Sequence, residues 1–217
     1  MNYPINLSNI ILKCNTIMYK SLKEVLFYTN DINCSKLSKG YVGYIVEKFF
    51  HSSFSNKPIC DIPNLGIEIK TIPLNLNNDL SNNVFICSFN PNLISLNFVE
   101  STLYHKTKNI LFVPYYNYEK NILKYKFLKP FFYKMDDYDK LIIEKDWKNI
   151  VSSFYNGEFN RAKYVGKYIK FISHAKSKID LVTFFDFFGD KKNTSRMSFY
   201  FNKIFIKHLI KNFSYFY

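Results

Sequence analysis

The stretch CDIPNLGIEIKTIPLN, residues 60–75, decides the fold because it combines a turn, a strand pattern and three charges. Apolar residues surround Glu68 and Lys70, which predicts a partly buried strand that begins after Gly66 and ends at Pro73. Residues i and i+2 of a strand share a face. We therefore expect the carboxylate of Glu68 and the ammonium of Lys70 to be neighbours, with the isoleucines between and beside them facing the core.

A second carboxylate precedes this strand. Asp61 lies across a Pro-Asn-Leu-Gly turn that can fold it back toward Glu68. Two converging carboxylates make an oxygen-ligand site suited to Mg²⁺, and a lysine beside them can orient a water molecule and stabilise charge on a phosphate. The pattern therefore predicts metal-dependent phosphodiester cleavage. The alternative is an exposed Glu–Lys pair on the wet side of an edge strand, since such a string is common in basic proteins.

The composition restricts the kind of partner. The 217 residues carry 30 Lys and Arg against 17 Asp and Glu, a net charge of +13. Such a field favours a polyanion, either nucleic acid or an anionic membrane surface. Because only Arg161 and Arg196 are arginines, part of the lysine excess is also explained by an AT-rich genome. No basic amphipathic helix dominates, which excludes the membrane-surface function.

The four cysteines are widely spaced, without a C-x-x-C pair, and we expect reduced buried thiols. The N-terminus has no apolar signal-peptide region, and no run of about 18 apolar residues predicts a spanning helix. The sequence therefore predicts a soluble, cytoplasmic protein.

The remaining pattern predicts one α/β domain without internal repeats. Helices come first, and strands and helices are mixed later. We predict helices over 16–30, 40–54, 136–157 and 199–213. We predict further strands over 82–90, 109–116 and 163–178.

Two consecutive strings resemble a known family. KGYVGYIVEKFF (39–50) and SNKPICDIPNLGIEIKTIPL (55–74) are similar to the signature of the MutH family, the strand-discriminating endonucleases of DNA mismatch repair. The restriction enzyme Sau3AI resembles the same family. The likeness continues in order through VFICSF, HKTKNILFVPY, EKDWKNIVSSFYNGE and FYFNKIF, so it covers about residues 39–213.

The resemblance implies a PD-(D/E)xK restriction-endonuclease-like fold, with a mixed sheet flanked by helices and DNA held in a two-armed cleft. The whole chain, 1–217, is then a single endonuclease domain. Residues 1–38 are a helical lead-in, 39–120 form a catalytic arm, and about 160–217 form a DNA-reading C-terminal arm that moves relative to the first.

The same resemblance implies the metal site. Asp61 and Glu68 bind one or two Mg²⁺ ions, the backbone carbonyl of Ile69 is a third ligand, and Lys70 is the catalytic lysine. Glu47 matches the family's helix glutamate beside the site. It either supports the residues that bind the first metal ion or binds a second one. Its alternative is a solvated helix residue next to an apolar stripe.

Lysines and aromatic residues further along the chain match DNA contacts of the family. Lys106 matches a catalytic lysine that approaches the site from a neighbouring segment, and His105 is structural. Lys108 is a phosphate contact or a solvated charge. Tyr200 matches a tyrosine that senses the N6 position of the methylated adenine. The implied DNA-binding set is Lys108, Lys170, His174, Lys176, Arg196, Tyr200 and Lys203.

One base-reading run departs from the family pattern. The family has Y-L-x-hydrophobic-R-P-K-A, whereas in KYIKFISHAKSK (167–178) Ile172 takes the place of the arginine and His174 that of the lysine. An isoleucine cannot supply the bidentate fork with which arginine reads guanine. Lys170 and Lys176 can hold phosphates, but phosphates carry no sequence information. Arg196 is a replacement reader or a backbone contact.

The implied activity is nicking of the unmethylated strand at hemimethylated or unmethylated GATC sites. Water attacks in line and leaves a 5′-phosphate. The implied partners are duplex DNA and MutL, with MutS acting through MutL, and a monomer is expected. The alternatives are a Sau3AI-like restriction endonuclease that cuts both strands and a non-catalytic DNA-binding relic. Retention of Asp61, Glu68 and Lys70 at the family spacing argues against the relic.

Overall fold

The computed structural model describes residues 6–29, 40–50, 59–81, 83–91, 97–155, 163–173, 181–186 and 188–213. The helices are α1 (Leu7–Ile17), α2 (Leu22–Thr29), α3 (Tyr41–Phe49), α4 (Thr102–Thr107), α5 (Asp137–Tyr155) and α6 (Lys203–Phe213). The strands are β1 (Glu68–Leu74), β2 (Val84–Ser88), β3 (Asn109–Tyr116), β4 (Lys126–Phe127), β5 (Phe131–Lys134), β6 (Lys163–Val165), β7 (Ile169–Ser173), β8 (Leu181–Phe185), β9 (Lys191–Ser195) and β10 (Met197–Phe201).

The chain forms two compact units. One comprises Met1–Asn82 and Lys108–Lys134, and the other comprises Asn83–Thr107 and Met135–Tyr217. The predicted division into a lead-in, a catalytic arm over 39–120 and a C-terminal arm over about 160–217 stays a prediction.

The first unit is built on a mixed four-stranded sheet. β1 pairs in parallel with β3, and β4 and β5 pair with β3 in antiparallel fashion. Of the described strands, β1 forms one edge of this sheet. The predicted strand end at Pro73 is wrong by one residue, because β1 continues to Leu74. Proline is tolerated there since its missing N–H faces the open edge, where its carbonyl accepts from the Ser81 N–H at 3.0 Å.

Helices cover one face of this sheet. The buried side chains of α1, α2 and α3 form a single apolar core with Ile69 of β1 and with Leu111 and Val113 of β3. α3 lies against β1, and a Cβ added to Gly43 would lie 3.8 Å from Oγ1 of Thr71. The helix predicted over 40–54 is confirmed for Tyr41–Phe49, and residues 51–54 lie outside the described residues.

The single helix predicted over 16–30 is wrong, because the chain turns between α1 and α2. Tyr19 has a φ of +62° and its N–H donates to the Phe127 carbonyl at 2.9 Å. Ser21 then starts a new helix, since its N–H donates to Glu24 Oε2 at 2.7 Å while Glu24 N–H donates back to Ser21 Oγ at 3.3 Å. This reciprocal pair is a capping box, which apolar spacing alone did not predict.

The second unit contains an antiparallel sheet in the order β2-β10-β7-β6 and a hairpin of β8 and β9. The strand predicted over 163–178 is wrong as one element. It is two strands, because the Gly166 N–H donates to the Ile169 carbonyl at 2.8 Å and closes a turn, and 174–178 lie outside the described residues. The helix predicted over 199–213 begins only at Lys203, since 199–201 pair with β2 and β7.

The fold class is confirmed: the chain is a mixed α/β protein with a mixed sheet flanked by helices. The predictions for 82–90, 109–116 and 136–157 correspond to β2, β3 and α5. Cys14, Cys60 and Cys87 are buried as expected, and Cys34 lies outside the described residues. Within the described ranges, no helix combines the length and apolarity needed to cross a membrane.

Candidate active site

A tight turn brings Asp61 back beside β1. Ile62 and Ile67 exchange both backbone hydrogen bonds, at 2.9 and 3.2 Å, and Pro63–Leu65 form a single 3₁₀ turn between them. Gly66 closes the turn with a φ of +61°, a left-handed conformation that favours glycine. The predicted Pro-Asn-Leu-Gly turn therefore exists, and it reverses the chain directly after Asp61.

The Asp61 carboxylate is fixed at the open edge of β1. Its Oδ2 accepts a hydrogen bond from the Ile69 N–H at 2.8 Å. The N–H and C=O of one strand residue point to the same side, and the Pro73 carbonyl, four residues on, also faces this edge. The Ile69 carbonyl is therefore directed to the side of the strand on which the Asp61 carboxylate lies, as a metal ligand would have to be.

Glu68 and Lys70 form an ion pair on the opposite face from the Ile69 side chain. Lys70 Nζ lies 2.6 Å from Glu68 Oε1, and the two side chains are 13% and 2% exposed. Their partners across β3 are apolar: Ile110 lies opposite Glu68, and Phe112 lies opposite Lys70. A buried ion pair adds little net stability because both charges lose hydration, so its presence among apolar residues points to a function.

The donors at this edge are hard oxygens, which Mg²⁺ prefers. Among the residues that the structure describes, no three His, Cys, Asp or Glu side chains gather as a metal site. Mg²⁺ needs only one or two carboxylates when carbonyl, water and phosphate oxygens complete its shell, so Asp61, Glu68 and the Ile69 carbonyl fit the ion.

Glu47 lies on the helix that packs on β1. It is half-buried and follows Gly43 by one helical turn, and Gly43 faces Thr71, the residue after Lys70. Residues four apart share a helix face. Glu47 is therefore on the side of α3 that faces β1, and its contribution to the site stays a prediction.

The lysines of the HKTK segment belong to different units. Lys106 is buried on α4 in the second unit, whereas Lys108 is half-buried directly before β3 in the first. The approach of Lys106 to the carboxylates stays a prediction, as does the DNA contact of Lys108.

An aromatic and basic row crosses the second sheet, formed by Phe85, Tyr200 and Lys170. Tyr200 of β10 is paired with Phe85 of β2 and with Lys170 of β7, and the Phe85 and Tyr200 rings meet edge to face at 5.6 Å. Phe85 is 42% exposed, while the neighbouring Phe199 packs into an aromatic core on the other face. Burial raises the pKa of Tyr200, so its phenol remains a hydrogen-bond donor at neutral pH.

Phe85 was not among the predicted DNA contacts, because VFICSF indicated only a strand and a continuation of the family likeness. No local signal marks Phe85, because Val84–Cys87 are all apolar and Ile86 and Cys87 are both buried, so the strand does not alternate.

The other predicted DNA contacts are dispersed over the second unit. Ile172 lies opposite Ser198, so an apolar side chain does occupy the position expected for the arginine. Arg196 is exposed directly before β10, and Lys203 is exposed as the first residue of α6. His174 and Lys176 lie outside the described residues.

Known proteins resemble this chain along most of its length. The family model described as "DNA mismatch repair enzyme MutH" matches residues 50–146. The DNA mismatch repair protein MutH of Buchnera aphidicola is 29% identical over 179 residues, 80% of this chain and 81% of its own. That of Shewanella oneidensis is 27% identical over 68% of each chain, and that of Haemophilus ducreyi is 21% identical over 97% of this chain and 95% of its own.

The family match and the candidate site fall on the same part of the chain. The family match spans the turn at Gly66, the edge of β1 with its ion pair, and β3 on which the site rests. Over residues 50–146 the chain is similar to the MutH family.

Proposed function

We propose that the chain is the endonuclease of DNA mismatch repair in its organism, and that it cleaves DNA with Mg²⁺ at the open edge of β1. The observation that carries this proposal is the buried Glu68–Lys70 pair beside the Asp61 carboxylate, which Ile69 holds in place. The names of the relatives agree with it, since they are DNA mismatch repair proteins.

Three oxygen donors would hold the metal: the carboxylates of Asp61 and Glu68 and the carbonyl of Ile69. The bound ion supplies positive charge that stabilises a phosphate in the transition state and lowers the pKa of a water molecule. Asp61 is suited to this task because its hydrogen bond to the Ile69 N–H fixes one carboxylate oxygen. Glu47 is proposed as a supporting acid or as a ligand of a second ion.

Lys70 contributes a cation beside the scissile phosphate. In the structure its ammonium is held by Glu68, so its position is fixed before substrate binds. We propose that Lys70, with Lys106, orients the attacking water and stabilises the charge that develops on the phosphate. Water oxygen bonds to phosphorus as the P–O3′ bond breaks; the products are a 5′-phosphate and a 3′-hydroxyl.

The proposed substrate is a hemimethylated or unmethylated GATC site, nicked on the unmethylated strand. We propose Tyr200 as the residue that senses the adenine N6 position, since its ring meets the half-exposed Phe85 ring edge to face and its neighbour on β7 is Lys170. Ile172 cannot read guanine as an arginine would, so another group supplies the remaining specificity. We further propose activation by MutL, with MutS acting through it, a monomeric enzyme, and work in the cytoplasm, where its DNA substrate is.

A nicking assay tests this substrate assignment. Duplexes with one GATC site, labelled differently on each strand, are incubated with Mg²⁺ at low salt, with and without MutL, in unmethylated, hemimethylated and fully methylated forms. We expect nicks on the unmethylated strand only, stimulation by MutL, and a 5′-phosphate end that DNA ligase reseals. Glu68→Ala is the inactive control.

Two results would contradict the assignment. Cutting of both strands whatever their methylation would identify a restriction-type endonuclease. Binding without cleavage under every divalent metal would identify a non-catalytic DNA-binding protein.

A further inference from the structure

A buried carboxylate on α5 holds the turn between β6 and β7. The Asp146 carboxylate accepts hydrogen bonds from the N–H groups of Lys167, Tyr168 and Ile169 at 3.2, 2.8 and 2.9 Å. It also accepts from the Tyr164 hydroxyl at 3.3 Å, and the residue is 4% exposed. These donors replace the water that a buried carboxylate loses, so they fix the position of the turn relative to Asp146.

On the turn side of this contact, Gly166 leaves room for the Asp146 carboxylate. A Cβ built on Gly166 would lie 2.2 Å from Asp146 Oδ1, so only glycine allows the aspartate to approach the turn this closely. Gly166 is therefore required by the approach of Asp146.

Asn202, the residue directly after β10, binds the same turn. Its side-chain amide donates to the Gly166 carbonyl at 2.8 Å, and its N–H donates to the Tyr168 carbonyl at 2.7 Å. Asn202 is also buried, and it directly precedes α6, which starts at Lys203. Asp146 and Asn202 together bind the N–H groups of Lys167 and Tyr168 and the carbonyls of Gly166 and Tyr168, which makes the turn a rigid connection.

This connection ends at the aromatic and basic row. Ile169 is the first residue of β7, and its N–H donates one of the hydrogen bonds to Asp146. The next residue is Lys170, opposite Tyr200. A shift of β7 by one residue would move Lys170 to the other face of the sheet.

We infer that Asp146 is a positioning residue for DNA binding, acting through the register of β7 and the placement of Lys170 against Tyr200. This inference rests on the proposed function, because it assumes that the row of Phe85, Tyr200 and Lys170 faces DNA. Asp146 itself does not contact the substrate, and the chemistry at Asp61 and Glu68 does not depend on it.

The test is a double-mutant cycle on Asp146→Asn and Lys170→Gln in the full chain. Nicking of a duplex under single-turnover conditions gives the half-saturating concentration and the maximal rate, and equilibrium binding is measured at several salt concentrations. Asp137→Asn is the matched control, because it makes the same charge change at an exposed position of the same helix.

We expect Asp146→Asn to weaken DNA binding by as much as Lys170→Gln does, about tenfold or 1.4 kcal/mol, because it displaces the same phosphate contact, with the maximal rate unchanged. The slope of log affinity against log salt falls by about 1, as for the loss of one phosphate contact. The double variant binds no more weakly than Asp146→Asn alone, because both changes remove the same contact. Asp137→Asn behaves as the wild type.

Additive losses in the cycle, or an unchanged affinity and salt slope in Asp146→Asn, would overturn the inference. If Asp146→Asn does not fold, Tyr164→Phe is tested instead, since it removes one hydrogen bond to Asp146 and keeps the ring. Its loss of DNA affinity must then be smaller than that of Lys170→Gln, and the two losses must not add in the double variant. Failure of the proposed function is recognised separately, because the wild type would then not nick any duplex.

Discussion

Lys70 Nζ lies 2.6 Å from Oε1 of Glu68, with both side chains on a face of β1 that is otherwise apolar. Hydrophobic residues of similar size would hold this strand at least as well, because the pair loses the hydration of two charges. The pair is therefore best explained by function, with its two charges held in position for catalysis.

Breaking the pair from either side should destabilise the fold, and removing both charges should not. We expect Lys70→Met and Glu68→Gln each to cost roughly 3–5 kcal/mol of unfolding free energy, the range measured for broken buried pairs. Lys70→Met should be the worse, since it removes the cation beside the more deeply buried of the two charges. The double variant should recover most of the loss while remaining inactive. Urea unfolding measures all four proteins, and additive losses would contradict the prediction.

The turn before β1 gives a second prediction. Gly66→Ala forces a residue with a Cβ into a left-handed φ of +61°, which costs on the order of 1–2 kcal/mol. Because the turn also carries Asp61 to Ile69, nicking should fall by more than stability explains. Gly40→Ala is the control, since Gly40 has a φ of −84° and open space around its Cβ. Equal effects of the two substitutions would show that the turn does not position Asp61.

The aromatic and basic row should separate methyl sensing from simple binding. Lys170→Gln removes a phosphate contact and should weaken binding to all duplexes alike, with a salt slope smaller by about 1. Tyr200→Phe removes only the hydroxyl and should change the ratio of rates on unmethylated and fully methylated duplexes. Phe85→Ala should do the same, because Phe85 supports the Tyr200 ring. Unchanged methylation ratios in both aromatic variants would refute the role.

Alkaline pH should destabilise the second unit. Burial, followed by the nearby Asp139 charge, raises the pKa of Tyr168 to about 12 from 10.0. The folded form therefore holds this proton more tightly than the unfolded chain, so the stability is fully present below about pH 10 and is lost as the pH rises toward 12.

Urea midpoints between pH 8 and 11 measure this loss. Tyr168→Phe should show a shallower decline than the wild type, because it has no phenol to ionise. Identical declines in the two proteins would mean that Tyr168 does not hold its proton as described.

Much of the site was predictable because it depends on local sequence. Period-two alternation predicted β1, and the Pro-Asn-Leu-Gly turn predicted that Asp61 folds back toward this strand. Both features involve residues near one another in the chain. The ion pair followed from the i, i+2 rule.

The remainder depends on contacts that are distant in sequence. The two strands β6 and β7 were predicted as one, because the turn at Gly166 is specified by Asp146, twenty residues earlier. The pairing of Phe85 with Tyr200 joins strands far apart in the chain, so no local pattern indicates it. The start of α2 depended on a capping box that overrode a continuous apolar periodicity.

The most direct test of the central claim is Mg²⁺-dependent nicking by the wild type, Glu68→Gln and Asp61→Asn on one hemimethylated duplex. We predict that the wild type nicks only with the metal and that EDTA abolishes the reaction. Both variants should react more slowly by roughly 10²–10⁴, while DNA binding measured without a divalent metal stays close to that of the wild type. Nicking by either variant at the wild-type rate, or by the wild type in EDTA, would contradict the assignment of catalysis to the edge of β1.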